Sequence, residues 1–163
     1  MSKEPYDRKM AVTVVDERTL PLMGPTVDTK RWQRLAQEVL FSETLIDGPL
    51  ELGVHFVDEE KMADLKRQHL DGDGRPTDVL AFPIDGLTDP IPGQPILLGD
   101  VLICPSVAER QAGATYEDEL ALLLVHGILH LLGHDHIESH ETEEMKAREE
   151  YLLNCHYREW STN

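Results

Sequence analysis

The stretch Leu120-Ala121-Leu122-Leu123-Leu124-Val125-His126-Gly127-Ile128-Leu129-His130-Leu131-Leu132-Gly133-His134-Asp135-His136 decides how the rest of the chain is read. Its apolar part, residues 120–132, falls short of the ~20 residues a bilayer span needs and is interrupted by His126 and His130, so it reads as a buried helix within residues 116–132. His126 and His130 stand at i and i+4, which puts both imidazoles on one helix face, one turn apart and close enough to share a metal ion. Gly133 can take the left-handed conformation that caps a helix and turns the chain back, and the reversal would bring His136 over the same face. Three imidazoles with an open fourth position describe a catalytic zinc site rather than a closed structural one. The partial negative charge of a helix C-terminus favours a cation there. Asp135 is a candidate to orient a metal-bound imidazole or to act as general base. His134 fits either a supporting or a solvent-facing role, and His140 reads as a surface residue.

Working outward, residues 10–15 are rich in β-branched side chains and read as a strand. Residues 30–41 carry Trp32, Leu35, Ala36, Val39 and Leu40 at helical spacing, with Asp28 or Thr29 as the N-cap. Residues 50–57 alternate apolar and polar as a half-buried strand does, and a helix is expected over 58–70. The cluster Asp71-Gly72-Asp73-Gly74-Arg75-Pro76 is a turn. A third strand follows over 77–82, stopped by Pro83, and a fourth over 97–104, with a Pro- and Gly-rich exposed loop between them. Thereafter helices are expected over 106–111, 116–132 and 141–153. The expectation is a single α+β domain over residues 1–163, a mixed sheet of about four strands packed with about five helices, with the metal site at the end of a central helix. The order of the strands stays open.

At 163 residues the chain has the length of one domain. A balance of 15 Lys+Arg against 31 Asp+Glu, net −16, excludes a protein that grips nucleic acid through a general basic surface; any such contact must be local. Two cysteines, Cys104 and Cys155, cannot build a disulfide framework and fit a reducing compartment. Residues 1–8 hold charges of both signs and no apolar run, so the expected location is the cytoplasm, with no membrane partner.

The histidine spacing also matches one class of zinc peptidase superficially. In those enzymes a glutamate directly after the first histidine serves as general base, whereas here that position is Gly127, which leaves proteolysis without its proton acceptor. The run from His126 to His136 instead resembles the motif of the YbeY endoribonucleases. Two further segments match in the family's order: Pro76-Thr77-Asp78-Val79-Leu80-Ala81-Phe82-Pro83 and Leu98-Gly99-Asp100-Val101. Together they span most of the chain from about residue 50 onward, while residues 1–48 match in their strand-then-helix outline.

The resemblance implies a metal-dependent endoribonuclease that cuts single-stranded RNA and serves in 16S ribosomal RNA 3′-end maturation and ribosome quality control. It implies His126, His130 and His136 as ligands of one zinc ion, Zn2+, and a strand over residues 76–83 that borders the substrate cleft. Members also use an arginine shortly before that strand. Its position falls near Leu70 or Asp71 here, leaving Arg67 or Arg75 as neighbouring substitutes, although each also reads as an ordinary surface charge. Implied partners are single-stranded RNA or rRNA and, further out, the small ribosomal subunit or one of its proteins. The acidic residues Glu141, Glu143, Glu144, Glu149 and Glu150 read as a solvated helix face that such a basic protein could meet. A different class of function is a ribosome-associated binding protein whose zinc only stabilises the fold.

Overall fold

The computed structural model describes residues 10–19, 24–44, 49–70, 76–85, 91, 93–113, 115–134 and 139–158, the side chains of Leu70 and residues 139–141 excepted. Its sheet has four strands, β1 (Met10–Asp16), β2 (Leu50–Phe56), β3 (Val79–Pro83) and β4 (Ile96–Ile103), in the order β1-β2-β4-β3. β1, β2 and β4 run parallel, and β3 closes one edge antiparallel to β4. Parallel neighbours need a crossover, which α1 (Thr29–Glu43) supplies between β1 and β2. Asp28 caps it, its side chain accepting from the Arg31 backbone at 3.3 Å. Burial differs between the centre and the edge of the sheet. Val101, Leu102 and Ile103 of β4 are all buried, as a strand covered on both faces requires, whereas the exposed residues of β1 alternate with covered ones as an edge permits.

One face of the sheet carries the main core. Val12, Leu52, Val54, Val101 and Ile103 meet Trp32 and Leu35 of α1 and Leu124 and Ile128 of α4 (Tyr116–Leu131). Each such side chain contributes about 1.5–3 kcal/mol by leaving water. On the opposite face α2 (Glu59–Leu70) places Met62 over Leu80 and Leu102, beside Cys104 and Val107 at the start of α3 (Pro105–Gln111). The last described elements are α5 (Ser139–Leu153), packed on α4, and a π-helical turn, Asn154–Arg158. Tyr157 of that turn stacks on Trp32 and donates to Asp118 at 2.8 Å, tying the end of the chain to α1 and α4.

Among the described residues the four expected strands and five expected helices are all present, most with ends shifted by one or two positions. The described residues between Pro83 and β4 are exposed, as expected of that loop, although its first two still pair with β4. Ile84 and Asp85 donate to Leu98 and Leu97 at 3.1 and 2.8 Å, extending the β3–β4 ladder past the proline. Pro83 itself pairs with Gly99 as the last residue of β3. Its missing N–H is tolerated because β3 is an edge strand.

Away from the main core, two strand-borne side chains and a third just past a strand form a charged clamp. His55 of β2 donates from Nε2 to Asp100 of β4 at 2.9 Å and from Nδ1 to Glu17, just past β1. Asp100 therefore hydrogen-bonds across the sheet on the face away from α4. Partial burial opposes the imidazolium, but the hydrogen bonds and charges of Glu17 and Asp100 outweigh it and hold the His55 pKa above the ordinary 6.5. A group raised in this way stabilises the fold fully below about 6.5 and loses that contribution as pH rises through its folded value. His55→Gln should therefore lower the melting temperature by more near about pH 6 than near about pH 9. Equal losses at both pH values would show that the charge on His55 contributes nothing.

Candidate metal centre

The site is built from the last two turns of α4. Thr115 caps the other end of this helix by accepting from the Asp118 backbone at 3.1 Å. Its C-terminus is closed by Gly133 at φ 98°, with Gly133 N–H donating to His130 O and His134 N–H to Leu129 O, both at 3.0 Å. This paired arrangement is the glycine cap expected from the sequence, and it satisfies carbonyls that the helix leaves orphaned. Leu124, Ile128 and Leu131 are buried, leaving His126 and His130 together on the partly exposed side. Their rings lie edge to face with centroids 4.6 Å apart, and their Nε2 atoms approach to 3.1 Å.

That separation fits a shared metal ion. Two nitrogens bound at about 2.0–2.1 Å in tetrahedral geometry stand roughly 3.3–3.4 Å apart. The other nitrogen of His126, Nδ1, faces the carboxylate of Glu149 from α5. An imidazole donating from Nδ1 keeps its Nε2 lone pair for a cation, the arrangement common in metal sites. Among the described residues no group of three histidine, cysteine or carboxylate side chains is placed to hold a metal. His136, expected as the third ligand, lies outside the described residues, as do Asp135 and Arg75.

His126 and His130 open into a cleft of about 590 Å³ whose opposite wall is Asp78, Val79, Leu80, Ala81 and Pro83. The strand over residues 76–83 thus borders the histidine site. A second cleft of about 380 Å³ meets the first at Asp78, Val79 and His126 and is lined further by Glu119, Thr142, Lys146 and Glu149. Burial first, and the charge of Asp78 second, push the Glu119 carboxyl above its usual range. Three carboxylates and one lysine around two imidazoles suit a divalent cation and oppose an unaccompanied phosphate.

Sequence reasoning did not single out Asp78, Glu119 or Lys146, and it placed Glu149 on a solvated face. Glu143, Glu144 and Glu150 are indeed exposed, but Glu149 is buried on α4 with Met145, Leu152 and Leu153. The signal was present in the spacing: Glu149 falls four residues after Met145 and three before Leu152, on the apolar stripe. Asp78 and Glu119 reach the cleft through strand and helix placement that local pattern does not encode. No helix among the described residues is long and apolar enough to cross a membrane.

Comparison with known proteins matches residues 23–156 to the family model for endoribonuclease YbeY, reaching further towards the N-terminus than the three sequence motifs. Endoribonuclease YbeY of Thermobifida fusca is 46% identical over 151 residues, covering 88% of this chain and 92% of that protein. The same-named protein of a Nocardioides species is 43% identical over 152 residues, 88% of this chain and 96% of its own. The solution structure of a Thermotoga maritima protein superposes with a TM-score of 0.59 at 26% identity, covering 94% of this chain and 93% of that one.

Gly127, where a zinc peptidase would carry its glutamate, packs directly against β4. A Cβ there would lie 2.6 Å from Val101 Cγ1 and 3.1 Å from Cγ2. Val101 is fully buried, so the position has no room for a side chain, let alone a carboxylate. Gly127→Ala should cost about 1–2 kcal/mol net, since overpacking outweighs the ~1 kcal/mol helix-propensity gain. Urea denaturation checks this, and adding Val101→Ala should recover part of the loss. Strict additivity of the two substitutions would rule out the contact as its cause.

Proposed function

Because the chain belongs to the YbeY endoribonuclease family, we propose that it is a zinc-dependent endoribonuclease that cuts single-stranded RNA, acting in 16S rRNA 3′-end maturation and ribosome quality control. The observation that carries the reading is the convergence of His126 and His130, Nε2 to Nε2 at 3.1 Å, in a cleft walled by residues 78–83. His126 and His130 hold the metal, with His136 as third ligand. Zinc in such an open site lowers the pKa of bound water towards 7 and polarises a phosphoryl oxygen.

The chain's own groups supply the rest. Asp78 and Glu119 face the clefts with carboxylates, and Glu119, held above its usual range by burial and the charge of Asp78, is a candidate to take up a proton. Lys146 is the cation among the described residues of the second cleft and is placed to meet a phosphate. Asp135 and Arg75 remain candidates for general base and phosphate contact. The exposed acidic residues of α5, Glu143, Glu144 and Glu150, are suited to a basic protein of the small ribosomal subunit.

The competing reading, a binding protein with a purely structural zinc, is disfavoured by where the histidines sit. The core closes around Trp32, Val101, Leu124 and Ile128, while His126 and His130 stand at the rim of a cleft. Metal is then not what holds the domain together. Wild-type protein and His130→Ala, purified in parallel, should both melt cooperatively, and chelator should leave the wild-type melt cooperative. Wild type alone should cleave an end-labelled single-stranded RNA, with His130→Ala at the level of the no-enzyme control. Unfolding by chelator would favour the structural-zinc reading, and equal cleavage by both proteins would mark a contaminant. RNA affinity should fall only shallowly with salt, with a log–log slope of about −1 to −2, as for one to three neutralised phosphates. A steep slope would require a basic surface that the cleft lacks.

A further inference from the structure

We propose that Glu149 is the positioning residue of the metal site, holding His126 through Nδ1 so that its Nε2 is presented beside that of His130. The proposal rests on the metal-binding reading of the two histidines. Among the described acidic side chains of α5, Glu149 is the one taken out of water: it is 7% exposed, while Glu143, Glu144 and Glu150 face solvent. A carboxylate buried without a partner is expensive. The side chain that answers it is His126, 23 residues away in sequence and on a different helix.

The contact sets chemistry as well as position. A carboxylate can only accept, so the hydrogen of the neutral imidazole is placed on Nδ1 and the lone pair on Nε2. Nε2 is the atom that lies 3.1 Å from Nε2 of His130. Glu149 is itself fixed. Met145, Leu152 and Leu153 bury the same stripe of α5 against α4, and Arg148 beside it donates from Nε to Glu43 of α1 at 2.6 Å. Rotation of His126 about its side-chain bonds is thereby limited by a helix docked at two further points.

Glu149→Ala and Glu149→Gln are compared with wild type for Zn2+ affinity, by competition with a chromogenic chelator, and for cooperative melting of the metal-free protein. Heteronuclear NMR of the metal-free protein reports the His126 tautomer. Glu149→Ala should weaken Zn2+ binding by about 10–100-fold, the range for loss of a hydrogen-bonded partner of a metal ligand, with Glu149→Gln in between. Wild-type His126 should carry its hydrogen on Nδ1, and Glu149→Ala should lose that preference. A folded Glu149→Ala with Zn2+ affinity within about twofold of wild type would overturn the role of Glu149 while leaving the metal site standing. If that variant does not fold, Glu149→Gln decides by the same measure. Wild type that fails to bind Zn2+ would overturn the metal reading, and this role with it.

Discussion

The contact on which the rest of this structure depends is the close approach of α4 to β4 at Gly127 and Val101. Glycine within a helix costs about 1 kcal/mol relative to alanine, and that cost is offset by what the approach allows. Leu124, Ile128 and Leu131 sink fully into the core. The two histidines that flank Gly127, one before it and one three residues after, are carried down beside β3. Without that approach the helix would ride higher, and residues 78–83 would no longer form the facing wall of the cleft. The glycine that deprives a peptidase of its base is thus also the residue that creates the site.

Electrostatics then decide what the cleft can accept. The chain carries a net charge of −16, and Asp78, Glu119 and Glu149 repeat that sign around the histidines. Long-range attraction cannot bring RNA here, and local repulsion would reject a bare phosphate. The same carboxylates favour a divalent cation, whose charge reverses the local balance. On the proposed reading, this charge distribution would couple RNA affinity to metal occupancy, so that an acidic protein acts on an acidic polymer at one point without holding it broadly.

Much of this was legible in the sequence because it is local. The i, i+4 spacing of His126 and His130, the cap at Gly133 and the N-cap at Asp28 depend on neighbours within one or two turns, and all three stand as read. The sequence placed the end of β3 at Pro83 but not the pairing of Ile84 and Asp85 beyond it, because what an edge strand tolerates is set by strand order, which no local pattern shows. Glu149 was lost among four other glutamates for a similar reason. Its charge matched the solvated face, and only its register with Met145 and Leu152 set it apart. The clamp of Glu17, His55 and Asp100 joins three segments that become neighbours only once β1, β2 and β4 are laid side by side.

A site at the end of a buried helix can serve either the fold or the chemistry, and here the division is visible. The cap at Gly133 satisfies the carbonyls of Leu129 and His130 by main-chain bonds, so the helix end needs no cation to complete it. The core reaches from Val12 to Tyr157 without including either histidine. On the proposed reading, binding free energy from a metal would not be consumed in folding the domain, unlike that of small zinc modules which are unfolded without their ion. The two histidines are held to the rest of the molecule by α4 itself and, across the helix pair, by the hydrogen bond from His126 to Glu149 of α5. A metal centre attached to its scaffold in this way would exchange its ion while the helices that shape the cleft stay in place.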